Sequence, residues 1–259
     1  MAKWIAFPHP DKAYTHTEAS LKKHWARLHR GDCEPYPEDA GAIEAWIAYH
    51  AGDFGRAVEI GTGAGHAGWN AANKAAAVYA TYLETSEKRK LALLEEAAGR
   101  AEELQAADAK NANAFYLYAF AAGRYSQGIS IAKALAQGLG GKVKAALETT
   151  LKLQPRHADA HIAFGSWHAE IIDKVGSMIG GVTYGAKRDA ALMHFRKALE
   201  LNPGSAIARV EYANGLVMLE GKKGLKQAEA LYAEAAECEA ADAMERLDVE
   251  LARSELADD

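Results

Sequence analysis

The chain has 259 residues, 49% of them apolar, and a formal net charge of −5. This supplies enough apolar surface for a sizeable core and excludes wholesale disorder, while the acidic balance argues against nucleic-acid binding, which depends on clustered Lys and Arg. No segment approaches the roughly 20 uninterrupted apolar residues of a membrane helix, no signal-peptide pattern opens the chain, and Cys33 and Cys238 have no partner spacing; the expectation is a cytoplasmic protein without membrane insertion, disulfide or cysteine-based metal site.

Residues 1–37 read as an N-terminal capping segment. In "EASLKKHWARLHR", Leu21, Trp25 and Leu28 recur at helical spacing behind a Thr15-x-x-Glu18 capping signal. This predicts a helix laid on the first repeat, with Lys23 and Arg27 leaving a basic surface-binding helix as the alternative. Residues 1–30 carry six basic side chains (Lys3, Lys12, Lys22, Lys23, Arg27, Arg30) against Asp11 and Glu18, whereas residues 227–259 carry Arg246 and Arg253 against eleven acids. Such blocks are solvated faces or a bias toward end-to-end association, so a homo-oligomer is one partner to test.

Next comes "AIEAWIAYHAGDFGRAVEI", in which Ile43, Trp46, Ile47 and Phe54 lie at helical spacing and "AGDFGRA" is a turn. It runs into "RAVEIGTGAGHAGW", residues 56–69. The order E-I-G-T-G-A-G resembles the glycine-rich loop of S-adenosylmethionine-dependent methyltransferases, and Gly63, Gly65 and Gly68 fit G-x-G-x-x-G. A nucleotide fold needs a strand before that loop and further strands alternating with helices. Only Ala57–Ile60 could supply the strand, and residues 66–110 are dominated by the helix formers Ala, Glu, Lys and Leu. The loop therefore reads as a break between helices, with a methyltransferase as the second alternative function.

From residue 112 the chain repeats itself. "NANAFYLYAFAAGRYSQGISIAKALAQGLGGKVKAALETTLKLQP" and "HADAHIAFGSWHAEIIDKVGSMIGGVTYGAKRDAALMHFRKALELNP" both open with A-x-A, pass through Gly-Gly and stop at a proline. Ala112, Ala158 and Ala206 head successive units 46 and 48 residues apart, closed by Pro155 and Pro203. Ala191, Phe195, Ala198 and Pro203, preceded by the bulky-then-small pair Phe164-Gly165, resemble the tetratricopeptide repeat (TPR), and Ala228, Tyr232 and Ala235 repeat the spacing. Small residues serve close helix crossing, and the proline ends each hairpin. The ordinary unit is about 34 residues. The excess lies in the middle, so first helices extended by about three turns and broken at Gly140-Gly141 and Gly180-Gly181 are expected.

Over roughly residues 40–240 this elongated pattern resembles the regulator-of-microtubule-dynamics family and the TPR subunits associated with TRAP transporters. The resemblance implies an all-α, TPR-like antiparallel helical-hairpin solenoid of about four elongated repeats with helical caps. We expect one continuous domain divided as 1–37 capping segment, 38–240 repeats and 241–259 capping helix, the last placing Met244, Leu247 and Leu251 on one face.

His157, His161 and His168 share one helical face, and imidazoles four apart can bind zinc, but no third ligand is in register. They read as structural, and no metal or cofactor is expected. No catalytic constellation is recognisable, so the expected function is a non-enzymatic scaffold for a protein or peptide. First helices would line the concave surface, nominating Trp46, Tyr49 and His50, then Tyr116, Phe120 and Arg124, then Ile162, Ser166 and Glu170, and finally Val210, Asn214 and Met218. The TPR clamp for chaperone tails uses Lys and Asn in its groove, and only Asn214 is of that type among these nominees. An apolar small-molecule pocket near Ile129, Ile131, Leu135, Met178 and Ile179 is the first alternative.

Overall fold

The computed structural model describes residues 4–257; Lys3 of the basic block and Asp258 and Asp259 of the acidic tail lie outside the described residues. Among those residues there is no strand, and the chain, 77% helical, is an all-α helical-repeat solenoid. It forms two compact units, the first of residues to His29, Cys33–Gln154 and Ala241–Met244, the second of Arg30–Asp32, Pro155–Ala240 and Glu245 onward.

The first unit contains α1 (Glu18–Leu28), α2 (Ala40–His50), α3 (Phe54–Gly63), α4 (Trp69–Tyr82), α5 (Glu87–Ala107), α6 (Ala112–Gln127), α7 (Ile131–Ala136) and α8 (Leu139–Leu153). Side-chain caps set most of the starts: Asp39, Asp53, Ser86, Asn111 and Ser130 each accept an N–H from the first turn that has no intrahelical partner. The cap of α1 is Thr17, paired reciprocally with Ser20, rather than Thr15, which closes the short 3-10 turn Lys12–Tyr14. Consecutive helices pair as hairpins, and α4 is the central element. Its Ala71, Ala72, Ala75, Ala76, Ala77 and Ala80 have no exposed surface, so backbones on either side can approach closely. Leu94, Ala97, Ala121 and Tyr125 close over Ala76, Ala77 and Ala80.

The second unit contains α9 (Ala158–Val175), α10 (Ser177–Ile179), α11 (Arg188–Leu201), α12 (Ala206–Glu220), α13 (Leu225–Ala236) and α14 (Ala243–Ala257), the last from Glu245 onward. The repeat heads Ala112, Ala158 and Ala206 are each the first residue of a helix, and Pro155 and Pro203 each follow one. The TPR positions do what their sizes dictate. Phe195 is fully buried in a cluster with Ala191, Leu192, Tyr212, Ala213 and Leu216, and a second cluster seats Val249 and Ala252 of α14 on Ala206 and Val210.

The excess residues do not prolong the first helices by three turns. α6 stops at Gln127 and α9 at Val175; the extra chain folds as α7 in one repeat and as α10 plus a π turn, Gly180–Tyr184, in the other. The breaks also fall elsewhere, at Gly138 (φ 65°), Gly176 (φ 80°) and Gly185 (φ 73°), where a left-handed backbone favours glycine. Gly140-Gly141 lies inside the first turn of α8 and Gly180-Gly181 inside the π turn.

Candidate functional site

The glycine-rich stretch is helical on both sides. Glu59 to Gly63 form the end of α3, Gly65–Ala67 a 3-10 turn, and α4 starts at Trp69, so the strand required before a nucleotide loop is a helix. The glycines serve packing. A Cβ on Gly61 would stand 2.7 Å from the Gly68 carbonyl oxygen, which lets the end of α3 touch the start of α4.

In the first unit the nominated α2 residues are buried, Trp46, Tyr49 and His50 each at 1% exposure. They are covered by the chain's own α1 and by residues 241–244. Trp25 meets Trp46 edge-on at 5.9 Å, His29 Nε2 and His50 Nε2 are 3.2 Å apart, His50 Nδ1 is 2.7 Å from Asp242 Oδ2, and the Tyr49 hydroxyl lies 2.7 Å from Met244 Sδ. Because the carboxylate takes the proton-bearing Nδ1, His50 Nε2 is the acceptor and His29 the donor. Burial lowers the His50 pKa, with Asp242 opposing it. These aromatics bind the cap, so they offer no open surface.

The polar side chains of the inner helices were not foreseen as a site. Asn70, Asn73 and Lys74 on α4 and Asn113 on α6 are all buried, on helices otherwise rich in Ala and aromatic residues. Asn70 Nδ2 donates to both carboxylate oxygens of Glu34, at 3.0 and 3.1 Å, and Asn113 Nδ2 donates to Glu34 Oε2. Arg100 Nε donates to Asn73 Oδ1 at 2.8 Å, and Lys74 Nζ lies 5.7 Å from the Tyr49 ring centre. The signal available in sequence was "WNAANK" and "NANAF": Asn and Lys at helical spacing inside apolar segments.

The C-terminal end of α6 is open. Tyr116 is buried, but Phe120 is half-exposed and the Arg124 guanidinium lies 5.9 Å from its ring centre while donating to Gln127 Oε1 at 3.2 Å. Arg124 borders a hollow of about 310 Å³ lined also by Thr81, Glu87, Lys90, Leu94, Gln127 and Gly128. Lys90 is paired with Glu87 at 2.9 Å, so Arg124 and the Gln127 amide are the groups at the hollow that can receive a further carboxylate.

In the second unit Ile162 is buried with Ala198 and Ala208, as is Val210. Ser166, Glu170 and Asn214 are half-exposed. Ser166 donates to Glu211 at 2.8 Å, Glu170 pairs with Lys174 at 3.1 Å, and Asn214 accepts from the Tyr232 hydroxyl. The histidines are engaged by protein groups. His157 Nδ1 caps α9 by accepting from the Ala160 N–H, His168 Nδ1 accepts from the Lys187 N–H at 3.3 Å, and His161 bonds the Pro155 carbonyl through Nε2 and His194 through Nδ1 at 2.8 Å. Burial and the neighbouring His161 and His168 lower the His194 pKa to about 4. Among the described residues no group of three or more His, Cys, Asp or Glu is placed to hold a metal.

The apolar pocket expected from extended helices is not formed by the nominated residues. Ile131 and Leu135 are 52% exposed, Met178 81% and Ile179 58%, because the extra chain folded into short surface turns; Ile129 packs on the α4–α5 core. No helix among the described residues is long and apolar enough to cross a membrane.

The fold resembles that of TTC0263, a thermophilic TPR protein of Thermus thermophilus, at a TM-score of 0.58 and 17% identity over 83% of this chain and 97% of that one. YrrB, a TPR protein with an unusual peptide-binding site, aligns at a TM-score of 0.42 and 15% identity over 92% of this chain and 100% of its own. No curated protein matches in sequence. The family model for regulator of microtubule dynamics protein 1-3 matches residues 66–254, from just before α4 into α14 and well over half of the sequence, and the chain belongs to that family.

Proposed function

We propose that the protein is a non-enzymatic module that binds a protein or peptide partner through the open end of α6. The observation that carries this reading is the Phe120–Arg124 pair beside the hollow lined by Lys90 and Gln127. Arg and aromatic side chains are the groups most often found at binding hot spots, since they bury rigid area and direct several hydrogen bonds. A carboxylate-bearing side chain or chain end fits Arg124 there, and the half-exposed Ser166, Glu170 and Asn214 provide a second surface within their own unit. Neither cysteine is in a disulfide, which suits a reducing compartment such as the cytoplasm.

Affinity capture from the native cell, read by mass spectrometry, tests the proposal with the native chain and Arg124→Ala in parallel. A partner retained by the native chain and depleted with the variant supports it. Equal recovery removes Arg124 from the site, and recovery of this chain alone replaces a foreign partner with self-association.

A further inference from the structure

We infer that residues Cys33–Pro37 are a built-in occupant of a peptide groove on α4 and α6, and that the partner of this groove is an extended acidic peptide which displaces Glu34. This surface is distinct from the Arg124 hollow, and the inference goes beyond the reading just given.

The segment "CEPYP" reaches α4 and α6 through Glu34 and packs on α1 through Tyr36, in the manner of a tethered peptide. Pro35 and Pro37 have no N–H to donate, so side chains and a carbonyl do much of the fastening. The Glu34 carboxylate takes amide N–H groups from Asn70 and Asn113 on two separate helices. The Glu34 carbonyl accepts from Trp25 Nε1 at 2.7 Å, and the Tyr36 ring rests 5.0 Å from Trp25 and 5.3 Å from Lys22 Nζ. At the head of the segment Cys33 sits at φ 51°, a conformation an L side chain rarely adopts.

The fit is incomplete, and the shortfall points to a better ligand. Asn70 Oδ1 and Asn73 Nδ2 are buried without a hydrogen-bond partner, and so is the Tyr36 hydroxyl. Asn70 and Asn73 are 6% and 0% exposed. Buried polar atoms are ordinarily satisfied, so an acceptor left over on Asn70, which holds the Glu34 carboxylate, and a donor left over on Asn73 one turn further along α4 describe a groove built for more bonds than its present occupant makes. An extended peptide has both: an N–H for Asn70 Oδ1 and a carbonyl for Asn73 Nδ2. Arg100, which donates to Asn73 Oδ1, favours a carboxylate on that peptide.

Tethering gives the internal segment an effective concentration on the order of millimolar, so a free peptide meets a strong competitor in the intact chain. The test is fluorescence anisotropy of a labelled peptide spanning Cys33–Asp39, with Ser in place of its Cys, against the full-length protein. Glu34→Ala should bind it at least ten-fold more tightly than the native chain, and adding Asn113→Ala should abolish the gain. Glu38→Ala, which removes a charge from the exposed residue just after the segment, should behave as native. Thermal melts accompany each titration, and Glu34→Gln replaces Glu34→Ala if the latter does not fold. Equal affinity of native and Glu34-substituted chains, or no binding by a folded Glu34 variant, overturns the inference and makes Glu34 a structural tie. Because the assay reads only the Asn70–Asn113 groove, either result leaves the Arg124 proposal to its own experiment.

Discussion

The ring of Phe195 occupies the space a side chain on Gly165 would need: a Cβ there would lie 2.8 Å from Phe195 Cδ1 and Cε1, and one on Gly215 would meet the other edge of the ring. The aromatic of the second helix thus enters a slot cut by two glycines on the first helices of successive hairpins, α9 and α12. Replacing Gly165 with Ala gains up to about 1 kcal/mol of helix propensity but forces the ring to move, at a cost of roughly 1–3 kcal/mol. Urea unfolding should show Gly165→Ala to be destabilised. Gly99→Ala, in α5 with nothing within 4 Å of its Cβ position, should be neutral or more stable than native.

The same reasoning separates the glycines of "GTGAG". Gly61→Ala should lower stability, since its Cβ would press on the Gly68 carbonyl, whereas Gly63 has nothing within 4 Å and should tolerate Ala. Isothermal titration with S-adenosylmethionine or a dinucleotide should give no heat. Micromolar binding that disappears in Gly63→Ala would contradict the helix-break reading.

Acid should weaken the second unit through its histidines. The pKa values of His194, about 4, and His161, shifted down mainly by burial, lie below the unfolded value near 6.5, so the unfolded chain binds more protons between these limits. Their contribution is complete above pH 6.5 and is lost as pH falls toward 4. His194→Phe should flatten the dependence of the melting temperature on pH across that window relative to native. His161→Ala, which removes the bonds to His194 and Pro155 and leaves a gap, should melt several degrees lower at pH 7. Adding EDTA to the native protein should shift no melting curve; a chelator-induced loss would mean that an ion, rather than Pro155 and His194, holds His161.

Arg124→Ala should reduce affinity for the captured partner by roughly 1–3 kcal/mol while hardly altering the melt, because Arg124 and its aromatic contact, Phe120, are both half-exposed. Normal affinity with a melt several degrees lower would make it a strut within the first unit.

The repeat was legible because each signature residue answers a local steric demand. Ala112, Ala158 and Ala206 begin helices where an apolar period follows a cap, Pro155 and Pro203 follow helix ends, and Phe195 fits the slot that Gly165 opens. The fate of the extra residues was less legible. Gly-Gly pairs have the composition of a break, yet positive φ fell on the isolated Gly138, Gly176 and Gly185, because position in the turn and not glycine count decides which residue goes left-handed.

By itself the sequence determined helix period, hairpin order and the small-against-large pairing of the crossings, all of which depend on neighbours three and four residues apart. Only the tertiary structure decided which inner-face residues stay open. Trp46, Tyr49 and His50 have the spacing of a binding face, but contacts many residues distant, Trp25 and His29 before them and Asp242 and Met244 near the other end, close over them. The meeting of Glu34 with Asn70 and Asn113, 36 and 79 residues away, is of the same kind. Periodicity assigns a side chain to a face of its own helix; what covers that face depends on which distant segment returns to it.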